Sequence, residues 1–294
     1  MSDLKNPLGL IGFGEAGQAF TKGWRSHLPE LGLSAFDIKT NGPLAAEMNA
    51  IYGNHAVTGC ADPSDLAGHD IFSLVTADQA LDAAQAASPH LAGGQFFFDC
   101  NSCAPQTKNE SAKHVEAAGG LYVDTAIMSP VHPLLHQSPL LISGPHAEAA
   151  LPLLHALGMK ATLVEGEVGT ASSIKMVRSI MMKGLEAVTM ECVLAGRAAG
   201  VDERVLASLD VTYPGFDWTR QATRMMERAT THGVRRAAEM REVAKTVELL
   251  GLPPAMSTAT VSWMERAASS GIKDMGLGDD YTKLSDQLLK STRK

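Results

Sequence analysis

Residues 12–17, Gly12-Phe13-Gly14-Glu15-Ala16-Gly17, have the spacing G-x-G-x-x-G, a pattern suited to holding phosphate. Gly12 permits a tight turn, the bare Gly14 lets backbone approach a pyrophosphate, and Gly17 lets the following helix pack closely. The start of that helix would present backbone N–H groups to the phosphates. Asp37 stands twenty positions after Gly17, where an acid accepts hydrogen bonds from ribose hydroxyls. Its charge repels a 2′-phosphate and favours NAD. Lys39, two positions later, offers that phosphate a counter-charge and keeps NADP open.

A second group of residues is suited to proton transfer. On a helix, Arg178 and Ser179 share a face with Lys175 as its i+3 and i+4 neighbours. A nearby guanidinium and partial burial both disfavour an ammonium, lowering a lysine pKa toward the range of a working acid or base. Taken alone, Lys175 reads better as a solvated lysine near a helix start. Cys100 and Cys103 have C-x-x-C spacing, but no second pair completes a zinc site. His132 and His136 lie four apart, yet Pro133 follows the first and no glutamate intervenes, so the H-E-x-x-H pattern is absent; packing or pocket lining is expected. No tyrosine has a lysine four positions on, which excludes the short-chain dehydrogenase arrangement.

These residues need a scaffold, and the apolar pattern supplies one. Leu8 to Phe13 reads as a buried strand and Glu15 to Ser26 as a helix, so the glycine turn sits between them. Further strands are expected at Leu33 to Asp37, Ile71 to Val75, Phe96 to Asp99, Tyr122 to Ile127, Leu140 to Ser143 and Thr162 to Glu165. Intervening stretches are long enough for crossovers, as a doubly wound, mainly parallel sheet requires. From Thr170 to Ala199 the pattern predicts one long helix. The remainder reads as helical, interrupted at Tyr213-Pro214-Gly215, at Gly251 to Pro254 and at Gly276-Leu277-Gly278. The reading is therefore α/β: a dinucleotide-binding Rossmann domain over 1–168 and an all-α domain over 169–294.

Composition fits that reading. The 294 residues suffice for two domains, and a formal charge of -7 argues against a general nucleic-acid binder. No apolar run approaches the ~18 residues needed to span a bilayer. Four cysteines are too few for a disulfide framework, and no targeting segment is recognisable near the start, so a cytoplasmic location is expected.

Four segments in order resemble the β-hydroxyacid dehydrogenase superfamily, which includes 6-phosphogluconate and 3-hydroxyisobutyrate dehydrogenases. The glycine motif matches Gly12, Gly14 and Gly17, and the family's Asp-x-Ser-Thr-x-x-Pro resembles Asp99 to Pro105. Its substrate loop resembles Asp124 to Pro130 loosely, and its lysine segment resembles Gly169 to Ser179. The resemblance implies Lys175 as general acid/base, a cofactor site that also draws on Thr76 and Asn101, and a substrate pocket drawing on Ser102, Ser129, Arg178 and Ser179. It further implies a homodimer through the helical domain, here a shorter one, and a small anionic hydroxy acid as substrate. Departures are informative. Ser179 replaces the expected asparagine, Met128-Ser129-Pro130 replaces Ser-Gly-Gly, and Ala238 falls where a later lysine is expected. His232, Arg235 and Arg236 are candidates to supply that lost charge. Met182 replaces the glutamate of the decarboxylating enzymes, so enzyme-assisted decarboxylation is not expected. An imine reductase or a non-catalytic dinucleotide-binding protein on the same scaffold remain as alternatives.

Overall fold

The computed structural model describes residues 5–275 and 280–292; the expected turn at Gly276 to Gly278 lies outside them. The chain forms two compact units, Met1–Met176 and Val177–Lys294.

The first unit is built on eight strands: β1 (Leu8–Ile11), β2 (Leu33–Phe36), β3 (Thr58–Gly59), β4 (Asp70–Ser73), β5 (Phe96–Asp99), β6 (Leu121–Ile127), β7 (Leu140–Ser143) and β8 (Ala161–Leu163). They lie in the order β3-β2-β1-β4-β5-β6-β7-β8. All pairs are parallel except β6 with β7, which are antiparallel. Short unbroken apolar runs such as Leu8–Ile11 are buried along their whole length, as a sheet covered on both faces demands. Among the described residues, the α-helices lying wholly in this unit are α1 (Glu15–His27), α2 (Ala45–Asn54), α3 (Ala80–Ala87), α4 (Pro105–Ala117) and α5 (Ala147–Ala156). Strand order reverses between β1 and β4, and the carboxyl ends there open the crevice where ligands bind in such sheets. The strand the sequence reading missed, β3, is a two-residue edge pairing too short to carry a hydrophobic pattern.

Helix α6 (Thr170–Ala199) runs across the division, its first two turns counted with the sheet. The division thus falls at Met176/Val177, later than the glycine at which the sequence changes texture. The physical reason is that Gly169, Ala171 and Ser172 are hydrogen-bonded to Asp124 and Ser143 of the sheet. The second unit adds α7 (Asp202–Thr212), α8 (Trp218–Leu249), α9 (Ala255–Ser269) and α10 (Tyr281–Thr292). Its core gathers Met190, Leu194, Leu206, Met226, Met264, Leu284 and Leu288. Along α8 the buried positions Ala222, Met226, Ala229, Gly233, Arg236, Met240 and Val243 recur every three or four residues, as in an amphipathic helix.

Candidate active site

The glycine turn between β1 and α1 has the shape its residue types imply. Gly12 has φ +89°, and a Cβ there would stand 2.7 Å from the Leu74 carbonyl oxygen; one on Gly17 would stand 2.8 Å from that of Gly12. A Cβ on Gly14 would meet nothing within 4 Å, so open space lies before the start of α1. The N-cap residue Gly14 has no side chain with which to cap the helix. A helix start of this kind, open beside a bare glycine, suits an anionic phosphate. Phe13 is buried against Tyr52, ring centroids 5.3 Å apart, while Glu15 is exposed and Ala16 half-buried.

Asp37 follows β2 and is buried. Its Oδ2 accepts the Phe13 N–H at 2.8 Å and its Oδ1 the Lys39 N–H at 3.1 Å, which ties the acid to the glycine turn. Lys39 and Thr76 are exposed. Asn101, after β5, gives its Nδ2 hydrogens to Ser73 Oγ at 2.9 Å and Asp99 Oδ1 at 2.7 Å. Its own Oδ1 is buried with no hydrogen-bond partner among the described residues. Such an orphaned acceptor suits the donor of a bound ligand. The glycine turn, Asp37, Thr76 and Asn101 follow β1, β2, β4 and β5, four neighbours in the sheet, so the residues present fit a dinucleotide.

Lys175, in the opening turns of α6, donates from Nζ to Ser102 Oγ at 2.6 Å. Their contact joins residues 73 positions apart. Behind them lies a buried polar network that the sequence reading did not find. Asp124 Oδ2 accepts the N–H groups of Gly169 and Ser172 at 3.1 and 3.0 Å, capping α6 from β6. The fully buried Lys108 of α4 places its ammonium 2.9 Å from Asp99 Oδ1 and 3.5 Å from Asp124 Oδ1. Burial alone would lower its pKa; Asp99, Cys103 and Asp124 reverse this and hold it above the ordinary lysine range. Burial pushes the Cys100 thiol up to about 12, which keeps it protonated near neutral pH. Ser129 turns its hydroxyl to the Pro130 carbonyl at 3.1 Å, and Pro130 has no N–H to offer a carboxylate.

In the second unit, Arg178 is exposed, Ser179 buried and His232 half-buried. Lys183, one turn beyond Ser179 on α6, donates to Ser179 Oγ at 3.2 Å and pairs with Glu239 Oε2 at 3.1 Å. Burial lowers its pKa, which the Glu239 charge partly offsets. Arg235 is half exposed and pairs with Glu239 Oε1 at 3.1 Å. Arg236, unlike Arg235, is buried and ion-paired with Glu186. Its place in the three-and-four spacing of buried α8 positions was a signal for this, as was the i+4 step from Ser179 for Lys183. Nothing in the sequence singles out Lys108, whose partners come from two different strands.

Residues 197–267 match a family described as a domain of unknown function, DUF1932. Among curated proteins, the chain is 26% identical over 221 residues to the mitochondrial 3-hydroxyisobutyrate dehydrogenase of Bos taurus, covering 73% of this chain and 64% of that enzyme's length. A conserved hypothetical protein from Sinorhizobium meliloti has a similar structure at 34% identity, with TM-score 0.76 and coverage of 98% and 97% of the two chains. A conserved protein of unknown function, described as structurally similar to 3-hydroxyacid dehydrogenases, is 28% identical with TM-score 0.69, covering 91% of this chain and 98% of that one. An imine reductase from Myxococcus stipitatus, solved with NADP+, shares the fold at 18% identity and TM-score 0.56, over 96% and 99% of the chains.

Proposed function

Because this chain belongs to the β-hydroxyacid dehydrogenase family, we propose that it moves a hydride between a nicotinamide dinucleotide and the hydroxyl-bearing carbon of a small β-hydroxy acid. The observation that carries the proposal is the 2.6 Å hydrogen bond from Lys175 to Ser102, which unites the two chain segments most like the family's reacting residues. A bound nicotinamide would accept or donate the hydride at its C4. In oxidation, neutral Lys175 takes the hydroxyl proton as the carbinol C–H bond gives its electron pair away, leaving a ketone or aldehyde and an ammonium. Ser102 Oγ, within reach of Nζ, hydrogen-bonds the reacting oxygen. In reduction the same ammonium returns the proton.

The residues Gly12, Phe13, Gly14, Glu15, Ala16, Gly17, Asp37, Lys39, Thr76 and Asn101 would hold the cofactor. The buried Asp37 favours NAD over NADP, since its two backbone hydrogen bonds fix a negative group where a 2′-phosphate would lie. For the substrate, Pro130 removes one backbone donor from the loop, so its carboxylate must find charge elsewhere. Arg178, Ser179, His232, Arg235 and Arg236 are the candidates, with Lys183 added to them by its burial beside Ser179. Arg235 is the cleaner probe, because truncating Arg236 would leave Glu186 short of its buried partner. Arg235→Ala should raise KM well beyond any change in cofactor Kd. The deciding experiment is NADH formation against a panel of hydroxy acids graded by size. Imine reduction is the second reading, kept by the shared fold; the same enzyme assayed with cyclic imines separates the two. Turnover with neither class would leave a dinucleotide-binding protein without this chemistry.

A further inference from the structure

A buried lysine destabilises a fold unless its charge is neutralised and its donors are used. Lys108 answers both needs: its ammonium donates to the Asp99 carbonyl oxygen and to Asp99 Oδ1, and its charge lies 3.5 Å from Asp124 Oδ1 as an ion pair. Each carboxylate has a second duty. Asp99 accepts the Asn101 backbone N–H at 3.0 Å, the Asn101 amide at 2.7 Å and, on its other oxygen, the Tyr122 hydroxyl at 2.7 Å. It thereby fixes the turn that carries Ser102. Asp124 Oδ2 accepts from Gly169 N, Ser172 N, Ser172 Oγ and Ser143 Oγ, and fixes the start of the helix that carries Lys175. One ammonium therefore joins the anchors of both partners in the Lys175–Ser102 hydrogen bond. Without it, the two anchors lose the cation they share, and the turn and the helix start can shift independently of each other.

We propose that Lys108 is a positioning residue that sets the Lys175–Ser102 geometry through the paired carboxylates of Asp99 and Asp124. Its meaning for catalysis rests on Lys175 being the proton-transfer group; its geometric content does not. The test is therefore read at Lys175 itself, by acetic anhydride labelling across pH, quantified by mass spectrometry against the exposed Lys113. In Lys108→Met, Lys175 should lose its fixed partner and label about threefold faster or more. Lys108→Met/Asp124→Asn keeps the net charge of the network, because it removes one cation and one anion together. That double variant should recover the melting temperature while Lys175 still labels fast. Should Lys108→Met not fold, the double variant and Asp124→Asn are read in the same way, since an amide oxygen still accepts from Gly169 and Ser172. Wild-type Lys175 labelling in the folded variants, or recovery of both labelling and melting temperature in the double variant, would overturn the proposal by reducing Lys108 to a counter-charge. Loss of the hydroxy-acid reading would appear separately, as absent turnover in the unmodified protein.

Discussion

At the scale of single residues, Lys175 and Asp37 carry the two sharpest expectations. Lys175→Ala should lower kcat by a factor on the order of 10² to 10⁴, the range for losing a general acid or base, while cofactor Kd is nearly unchanged. Lys175→Arg should not restore it, because a guanidinium stays protonated at working pH. Near-normal turnover in Lys175→Ala would remove the mechanism. Asp37→Ser should tighten NADP(H) binding by about tenfold and weaken NAD(H), because a buried charge that would repel a 2′-phosphate is lost. Fluorescence titration of both cofactors measures this, and unchanged selectivity would shift the role to Lys39. The glycine turn and the acid after β2 were legible in sequence as local patterns, whereas Lys175 was singled out only by the family resemblance. Lys108, with its partners on β5 and β6, was singled out by neither.

At the scale of elements, α8 and α9 approach through Gly233, where an added Cβ would stand 2.5 Å from the Met264 carbonyl oxygen and 2.9 Å from Ala268 Cβ. Alanine there gains about 1 kcal/mol of helix propensity but overpacks backbone against backbone, at a cost of about 1–3 kcal/mol. Gly233→Ala should therefore lower the melting temperature; an unchanged or raised value would mean the two helices separate at no cost. On the same helix Arg235 lies on the exposed face, paired with Glu239. Arg236 is adjacent in sequence but about 100° round the helix, and it falls into the buried stripe beside Glu186.

At the scale of the whole molecule, stability should depend on pH through histidines that fold in neutral form. Burial, aided by the neighbouring His27, lowers the pKa of His136 below its ordinary 6.5, and burial likewise lowers that of His55. A depressed histidine pKa leaves stability intact above about pH 6.5 and erodes it as pH falls through 6.5 toward the folded value, because the unfolded chain takes the proton first. The melting temperature should therefore drop between pH 7.5 and 5.5, and His136→Gln should flatten part of that drop. An equal slope in both proteins would assign the dependence to other groups. His136 Nδ1 is buried without a hydrogen-bond partner among the described residues, so protonation there would strand a charge.

The sequence by itself determined seven of the eight strands in order, the glycine turn at the end of β1, the acid at the end of β2 and the unbroken helix from Thr170 to Ala199. Each is a short-range matter: a period of two or 3.6, a residue that permits positive φ, or a fixed count from turn to strand end. Tertiary structure alone decided that Ser102 meets Lys175, that Asp124 caps α6, and that a lysine lies wholly inside between two aspartates. Those contacts join positions tens of residues apart. They depend on which strands become neighbours and on whether a buried charge finds partners there, and no local pattern along the chain encodes either.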